Sequence, residues 1–444
     1  MMSAAAAFLL LTAILVEAND NGLALTPPLG WRSWNLFAAD VNQTLIEKIM
    51  RAMIDRSRSD HAGRPTSLCD LGYCDVGLDD AWQACQSPEA AEGMNYHRED
   101  GSPIVNLKRF PDLKGMVDLA HSLNLTAGWY GNNCICQDAC RNPEECEKQI
   151  EGDVKAIVEF GFDAWKLDGC GGETNLPLFD EYIRKLSLKP ILIENCHWGN
   201  PSVPYYKPDR NLPPSEGCPW NFYRSSGDIG PAYCSMMHNL GSVELFRSQN
   251  LSYPGCWAYP DMMEVGVIKA GKMVLNEAET RSHFGSWCIV SSPLMLSHDV
   301  TDNGVTNTVW DVISNREAIA VNQAYAGDSG GVYSKSETMV WLHDEVVGKD
   351  FAVPQYRYLS KPLGDDKGVA VLFMNSGDDT QLLNTYFKHV PGANCPDGSG
   401  DLCVCHVRDI WTHQDLGQFV GSFGMYVDLH DPAILIVSDC QFGR

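Results

Sequence analysis

No block of Lys or Arg occurs anywhere in the 444 residues; acidic residues outnumber basic ones 57 to 33, and the formal net charge is −24. Nucleic acid and anionic membrane surfaces are poor partners for such a chain, whereas neutral sugars are not. After residue 16 no stretch is apolar enough to span a bilayer. No G-x-G-x-x-G turn follows the first strand candidate, which counts against a dinucleotide-binding sheet. Cys134, Cys136, Cys140 and Cys146 cluster without paired C-x-x-C spacing, so a zinc site is not expected. No cofactor of any kind is expected. Internal repeats and long low-complexity linkers are missing as well.

What is present begins with an apolar run from Ala4 to Val16, too short for a comfortable membrane span. Val16-Glu17-Ala18 follows, similar to an A-x-A cleavage site. No Lys or Arg precedes the run, yet a cleaved signal peptide over residues 1–18 remains a better reading than an anchor. The expected address is the secretory pathway, extracellular or lysosomal/vacuolar, with no membrane insertion after cleavage. Seventeen cysteines in that setting read as disulfides, and the odd count leaves at least one thiol, read as a buried small hydrophobe. Asn42-Gln43-Thr44, Asn124-Leu125-Thr126 and Asn250-Leu251-Ser252 are permitted glycosylation sites.

The length suggests about two domains. From Leu29 to about Asn322, short apolar runs alternate with helical patterns, which points to βα units and a parallel sheet. Thr44-Leu45-Ile46-Glu47 reads as a capping box ahead of Ile49, Met50, Met53 and Ile54. Asp112 opens a helix with Leu113, Met116, Val117 and Ala120 inward. Asp153 opens another, with Val154, Ile157 and Val158 inward, closed by Gly161. The predicted strands are Leu29–Trp34, Tyr73–Asp80, Thr126–Tyr130, Ala164–Asp168, Pro190–Asn195, Phe222–Asp228, Tyr253–Trp257 and Trp287–Leu296. Eight such units predict a (β/α)8 TIM barrel over residues 19–330, with a doubly wound open sheet as the structural alternative. After about Gly330, strands without long helices (Val340–Leu342, Val369–Phe373, Ile434–Val437) predict a C-terminal antiparallel β-sandwich over residues 331–444.

Catalytic groups in a barrel sit at the C-terminal ends of its strands. Those ends carry Trp34; Asp79 and Asp80; Tyr130; Lys166 and Asp168; and Arg224 to Asp228. Any one Asp there is explained equally well as a helix cap. Asp79 and Asp80 point to opposite sides of a regular strand, so only one need face a pocket, whereas Lys166 and Asp168 share a side. The joint occurrence of carboxylates and aromatic rings is what argues for a sugar site, since pyranose C–H faces stack on rings and hydroxyls bond carboxylates. Two carboxylates are also the minimum for glycosidic cleavage, one ionised beside a cation and one holding a proton.

Leu25-Thr26-Pro27-Pro28-Leu29-Gly30-Trp31 with Trp34, then Leu78-Asp79-Asp80-Ala81-Trp82, Trp165-Lys166-Leu167-Asp168-Gly169-Cys170, Trp257 with Pro260-Asp261-Met262, Ser292-Pro293-Leu294 and Val321-Asn322-Gln323 together resemble glycoside hydrolase family 27. This is the α-galactosidase/α-N-acetylgalactosaminidase (melibiase) family. Val407-Arg408-Asp409-Ile410-Trp411 resembles that family's sandwich domain. The resemblance implies a retaining hydrolase for terminal α-galactose, with Asp168 as nucleophile and Asp228 as acid/base. It implies that Asp79 and Asp80 bind the hydroxyls at carbons 4 and 6, and that Trp34 and Tyr130 wall the pocket. Lys166 and Arg224 would hold hydroxyls and charge, and Asp261 would lie near the rim. It further implies a bridge from Cys170 to Cys134 or Cys136, and a second from Cys196 to Cys218. The substrate would be an α-galactoside oligosaccharide, polysaccharide or glycolipid, and the protein a monomer or homodimer.

Two departures from the family pattern stand out. Ala81 replaces a cysteine, so the nearby bridges must be rearranged. His197 takes the slot of a Glu or Asn that contacts the hydroxyl at carbon 2; it is read as substrate-binding, with a helix-cap or supporting place as the alternative. The neighbouring Glu194 would serve the sugar or pair with Lys166. Such a variant resembles plant-type members that also act on β-L-arabinopyranosides, although retention of both Asp79 and Asp80 favours galactose. His197 is not small, which disfavours N-acetylgalactosamine. A catalytically silent galactose-binding protein and a metal-dependent hydrolase using Asp79, Asp80 and His197 are the readings from other classes.

Overall fold

The structure, a computed structural model, describes residues 21–138, 140–172, 176–196, 217–244, 246–344, 348–364, 367–396 and 398–443. The apolar leader and His197 fall outside them. Eight strands run parallel: β1 (Leu29–Arg32), β2 (Asp75–Gly77), β3 (Thr126–Gly131), β4 (Ala164–Asp168), β5 (Leu192–Cys196), β6 (Phe222–Arg224), β7 (Trp257–Tyr259) and β8 (Leu294–Leu296). They bond in the order β8-β1-β2-β3-β4-β5-β6-β7. The sheet curls into a TIM-like barrel, and Met263 N donates to Met295 O at 2.8 Å across the seam between β7 and β8.

The outer helices follow the expected apolar faces, with corrections at their ends. Helix α1 (Gln43–Met53) is capped by Asn42, whose side chain accepts from Leu45 N; Thr44 lies inside the first turn. Ile46, Ile49, Met50 and Met53 are buried beneath it, each burial contributing roughly 1.5–3 kcal/mol. Helix α2 (Leu113–Ser122) begins at Asp112 as expected, its carboxylate accepting from Gly115 N. Helix α3 (Pro143–Phe160) starts ten residues before Asp153, at the cap Asn142, and ends at Gly161 in the left-handed conformation with φ 88°. Asp153 is therefore a buried mid-helix residue and Val158 faces outward at 42% exposure.

Two predicted strands are shorter and displaced. Tyr253 and Cys256 pair across the Pro254-Gly255 turn, so β7 starts only at Trp257. Trp287 to Ile289 belong to helix α6 (Glu277–Ile289; α4 is Leu176–Leu186 and α5 is Tyr233–Gly241), closed at its start by an Asn276–Glu279 capping box. This helix is buried from Thr280 to Ile289 with few breaks, because the second domain covers the side that water would otherwise wet. An all-buried helix has no polar face, and its apolar run reads as a strand. Two further helices, α7 (Asn303–Ile313) and α8 (Arg316–Gln323), complete the wall.

The second domain is antiparallel: β9 (Gly331–Lys335), β10 (Met339–Asp344), β11 (Lys349–Pro354), β12 (Tyr356–Pro362), β13 (Val369–Asn375), β14 (Gln381–Tyr386), β15 (Cys403–Asp409), β16 (Gln414–Val420), β17 (Ser422–Val427) and β18 (Pro432–Phe442). The main sheet runs β9-β12-β13-β18-β15-β16, and the pair β14-β17 packs on it as a sandwich. Alternation along β13 joins the two domains: Val371 and Phe373 face the sandwich core with Leu383 and Phe423, while Leu372 and Met374 belong to the barrel's core. Lys361 of β12 is fully buried, and its Nζ donates to Val321 O at 2.5 Å and Asn322 O at 2.8 Å, the carbonyl end of α8.

Seven disulfides link described cysteines. Cys134–Cys170 fulfils one of the two expected alternatives. Cys85–Cys136 is the rearrangement beside Ala81. The expected Cys196–Cys218 bridge does not form: Cys218 pairs with Cys256, and Cys196, Cys234 and Cys288 are buried thiols. The register explains why. Glu194 lies level with Phe222, so Cys196 stands at the C-terminal end of the barrel, while Cys218 and Cys256 precede β6 and β7 at the other end.

Candidate active site

Three neighbouring strands bring the expected chemistry to one end of the barrel. Asp168 ends β4, and its carboxylate accepts from Tyr130 Oη at 2.6 Å and from Gly169 N at 2.6 Å. Burial pushes its pKa up, while Lys166 and the Tyr130 hydroxyl pull it down. Lys166 Nζ donates to Asp79 Oδ2 at 2.5 Å and sits 5.4 Å from the Tyr130 ring centre. Burial opposes the Lys166 ammonium, yet the carboxylates of Asp79, Glu194 and Asp168 outweigh it and keep it charged. Tyr130 is thus more than a wall, because it holds the expected nucleophile.

Arg224 ties the next part together. Its guanidinium donates to Cys196 Sγ at 3.4 Å and to Asp228 Oδ1 at 3.2 Å, and pairs with Asp261 Oδ2 at 2.8 Å. Cys196 is the register partner of Asp168. The chain Asp168, Cys196, Arg224, Asp228 therefore places the two expected catalytic carboxylates on either side of the end of β5. Asp228 is 69% exposed, against 3% for Asp261. Asp261 is not a rim group: it accepts from Ile229 N at 2.8 Å and Met262 N at 2.7 Å as well, from a backbone with φ 110°. A non-glycine there stores roughly 1–3 kcal/mol of strain, which the three bonds hold in place. Burial pushes its pKa up and Arg224 pulls it down.

The acidic pair, just beyond the end of β2, points two ways. Asp79 meets Lys166. Asp80 accepts at Oδ2 from Cys134 N (2.9 Å) and Ile135 N (2.8 Å), and at Oδ1 from Ala81 N (2.7 Å) and Gln83 Nε2 (2.5 Å). Those four donors match the four lone-pair positions of a carboxylate. Asp80 thus anchors the loop after β3, and a direct bond to a sugar hydroxyl would have to be shared. Trp34 is half-buried and packs against Phe222, Trp257, Tyr259, Met262 and Met295. His197 lies outside the described residues. Among the described residues, the His/Cys/Asp/Glu groups close enough to share a metal ion are Cys395, Cys403, Cys405 and Cys440, and Cys134, Asp168 and Cys170; every one of those cysteines is in a disulfide.

Comparison with known proteins decides the family. The family model described as Alpha galactosidase A matches residues 26–324, and that of the Alpha galactosidase C-terminal beta sandwich domain matches residues 354–437. The chain belongs to the α-galactosidase family. The α-galactosidase of Oryza sativa subsp. japonica is 30% identical over 95% of this chain and 87% of its own. The crystal structure of α-galactosidase I from Mortierella vinacea has the same fold, with TM-score 0.72, 22% identity and coverage of 96% of this chain and 100% of that one. The α-galactosidase of Saccharomyces cerevisiae with raffinose gives TM-score 0.72 at 20% identity, over 95% and 99%.

Several buried polar groups in and around the barrel were not foreseen from the sequence. Arg32, on β1, is 2% exposed, pairs with Asp75, and has Nε 3.5 Å from Glu194 Oε2. Gly77 makes room for it, since a Cβ there would lie 2.5 Å from Arg32 Nη1. The signal was a cation in an otherwise apolar strand. Glu194, by contrast, was expected to serve the sugar or pair with Lys166; it faces both Arg32 and Lys166, and burial pushes its pKa up. Glu264 is buried below Trp34 and accepts from Asn35 Nδ2 at 2.6 Å. Asn132 Nδ2 bonds the backbone oxygen of Asp168. No helix among the described residues is long and apolar enough to cross a membrane.

Proposed function

We propose that this α-galactosidase-type glycosidase releases terminal α-linked galactose by double displacement. Asp168 attacks the anomeric carbon; the bond from that carbon to the leaving oxygen breaks, and Asp228 gives this oxygen its proton. Water then attacks the same carbon, Asp228 takes the water's proton, and the bond to Asp168 breaks. Two inversions give retention. The observation that carries the reading is the contrast between the two carboxylates joined through Cys196 and Arg224. Asp168 is buried with two hydrogen-bond donors and a lysine, which suits an ionised nucleophile. Asp228 is exposed, and its one cation is drawn closer to Asp261, which suits a group exchanging protons with a leaving group and water. Asp79 and Lys166 supply an acceptor and a donor for sugar hydroxyls, with Trp34 at the wall.

Asp168→Asn should lower kcat on a nitrophenyl α-galactoside by at least about three orders of magnitude while the thermal melt stays cooperative. Normal turnover in that variant would remove the assignment. Asp228→Ala should lose far more on a poorly departing aglycone than on a nitrophenyl one. Galactose-ended oligosaccharides, polysaccharides and glycolipids are the proposed substrates, since each carries the terminal sugar this reaction releases. Seven disulfides among the described residues support an oxidising, secretory address and a cleaved leader over residues 1–18. The barrel is assigned to residues 19–330 and the sandwich to 331–444.

A further inference from the structure

The loop after β3 is gripped from both sides. Towards the hollow, Cys134 N and Ile135 N bond Asp80, Asn132 bonds the Asp168 backbone, and Cys134 bridges to Cys170. Away from it, the loop carries Asp138, whose backbone oxygen accepts from Gly172 N at 2.7 Å and whose carboxyl faces His97. His97 is 1% exposed, with Nε2 3.1 Å from Asp153 Oδ1 of α3 and Nδ1 3.6 Å from Asp138 Oδ1. Asp138 Oδ1 has no hydrogen-bond partner. Tyr96 Oη donates to Asn133 Oδ1 at 2.9 Å, and Asn133 lies next to the amides that hold Asp80.

Two carboxyls facing one imidazole cannot all be charged without a net negative charge in a dry place, which is costly. One extra proton makes the trio neutral. The other ionisable groups near it are few. Tyr96 comes from its own segment and Asp80 from the end of β2. Arg98 and Glu99 from the same segment, and Arg141, Glu145 and Lys148 from α3 and the turn before it, border a small cavity of about 100 Å³ beside His97.

We propose that His97, Asp138 and Asp153 form a proton-dependent clamp that positions Asp80 and the Asp168 backbone through residues 132–138, closed while the trio holds its extra proton and loosened when that proton leaves. The proposal rests on the reading of Asp80 and Asp168 given above. Burial, and then Asp153, push Asp138 up to about 7, and the two carboxylates hold His97 above its ordinary value against its burial. Both shifts are upward, so the stability they contribute is complete in acid and is lost as pH rises through the folded values. The window for Asp138 runs from 3.8 to about 7. None of the three residues touches substrate; they are positioning residues.

The test is galactose binding by titration calorimetry to the full chain and to Asp138→Asn, from pH about 5.5 to about 8, where one linked proton changes affinity by at most about tenfold per pH unit. Asn keeps the shape of the protonated acid and cannot ionise, so the variant should lose several-fold less affinity across that range than the parent. Superimposable curves would overturn the clamp. Should the variant not fold, hydrogen exchange on the parent decides. Amides of residues 132–138, corrected for intrinsic rate, should lose protection over the same range while those of β13 do not; unchanged protection would overturn it equally. Failure of the catalytic reading would show separately, as turnover by Asp168→Asn, which neither binding nor exchange measures.

Discussion

Replacing Tyr130 by Phe removes a single oxygen, the one 2.6 Å from Asp168 Oδ2, and leaves the ring against Lys166. Asp168 sits above the usual carboxylate range because burial outweighs its helpers, and the Tyr130 hydroxyl follows Lys166 among those helpers. A hydrogen bond to a charged group is worth roughly 1.5–3 kcal/mol, which at about 1.4 kcal/mol per pKa unit is a further rise of about one to two units in Asp168. The acid limb of kcat/KM reports ionisation of the free enzyme's nucleophile. A pH profile with a nitrophenyl α-galactoside should therefore show that limb moved upward by about one to two units in Tyr130→Phe. The plateau should fall less, because a carboxylate with fewer donors is also more basic. An acid limb in the same place, with only kcat reduced, would mean that Tyr130 orients sugar and does not stabilise the carboxylate.

Lys361 and Glu264 test two buried groups away from the reacting bond. Burial lowers Lys361 from 10.5 to about 7, so the stability linked to this amine is present above 10.5 and lost as pH falls through about 7. Lys361→Met deletes two bonds to carbonyls and should lower urea stability by roughly 1–3 kcal/mol in mild alkali. The deficit should shrink as pH falls from 10.5 towards about 7 and stay level below that; a deficit constant across that range would refute the buried-amine account. Burial raises Glu264 from 4.5 to about 8, so its contribution is present below 4.5 and lost as pH rises through about 8. Glu264→Gln keeps an acceptor for Asn35, should melt with the parent in acid, and should melt higher above about pH 8. Parallel melting curves across that range would show that Glu264 finds a cation.

Much of the fold was legible because its signals are local. Asp112 and Gly161 stand at helix ends, β13 alternates, and the strand-end carboxylates fall where a barrel puts chemistry. Two of the misreadings come from burial by a second layer. Helix α6 lost its polar face to the sandwich, so its apolar run looked like a strand. Asp153 looked like a cap because nothing in its neighbourhood in sequence shows that His97, fifty-six residues earlier, reaches it. The bridge from Cys196 to Cys218 was implied by the family resemblance, which does not say which end of the barrel each cysteine of this chain occupies. What the sequence did not show for Asp80 is that two of its four donors come from a loop more than fifty residues away.

The hollow and the barrel interior beneath it hold more carboxyls than cations. Arg32, Lys166 and Arg224 face Asp75, Asp79, Asp168, Glu194 and Asp261, with Asp228 out towards solvent, and a charged carboxylate in the buried part of this cluster is costly unless donors or cations reach it. Protons settle where the fewest donors point. Asp168 has two donors within 2.6 Å, and Asp261 has an arginine and two backbone amides. Glu194 has only Arg32 at 3.5 Å, with Oε2 free of any hydrogen bond. A proton on Glu194 removes one competitor for Lys166, leaving its charge to Asp79 and to the nucleophile. The same arithmetic explains how a chain of net charge −24 can keep one particular carboxylate ionised in a crowded acidic site. Hydrogen-bond donors, placed by the ends of β3 to β6, choose which carboxyl stays charged; the cations alone are too few to do so.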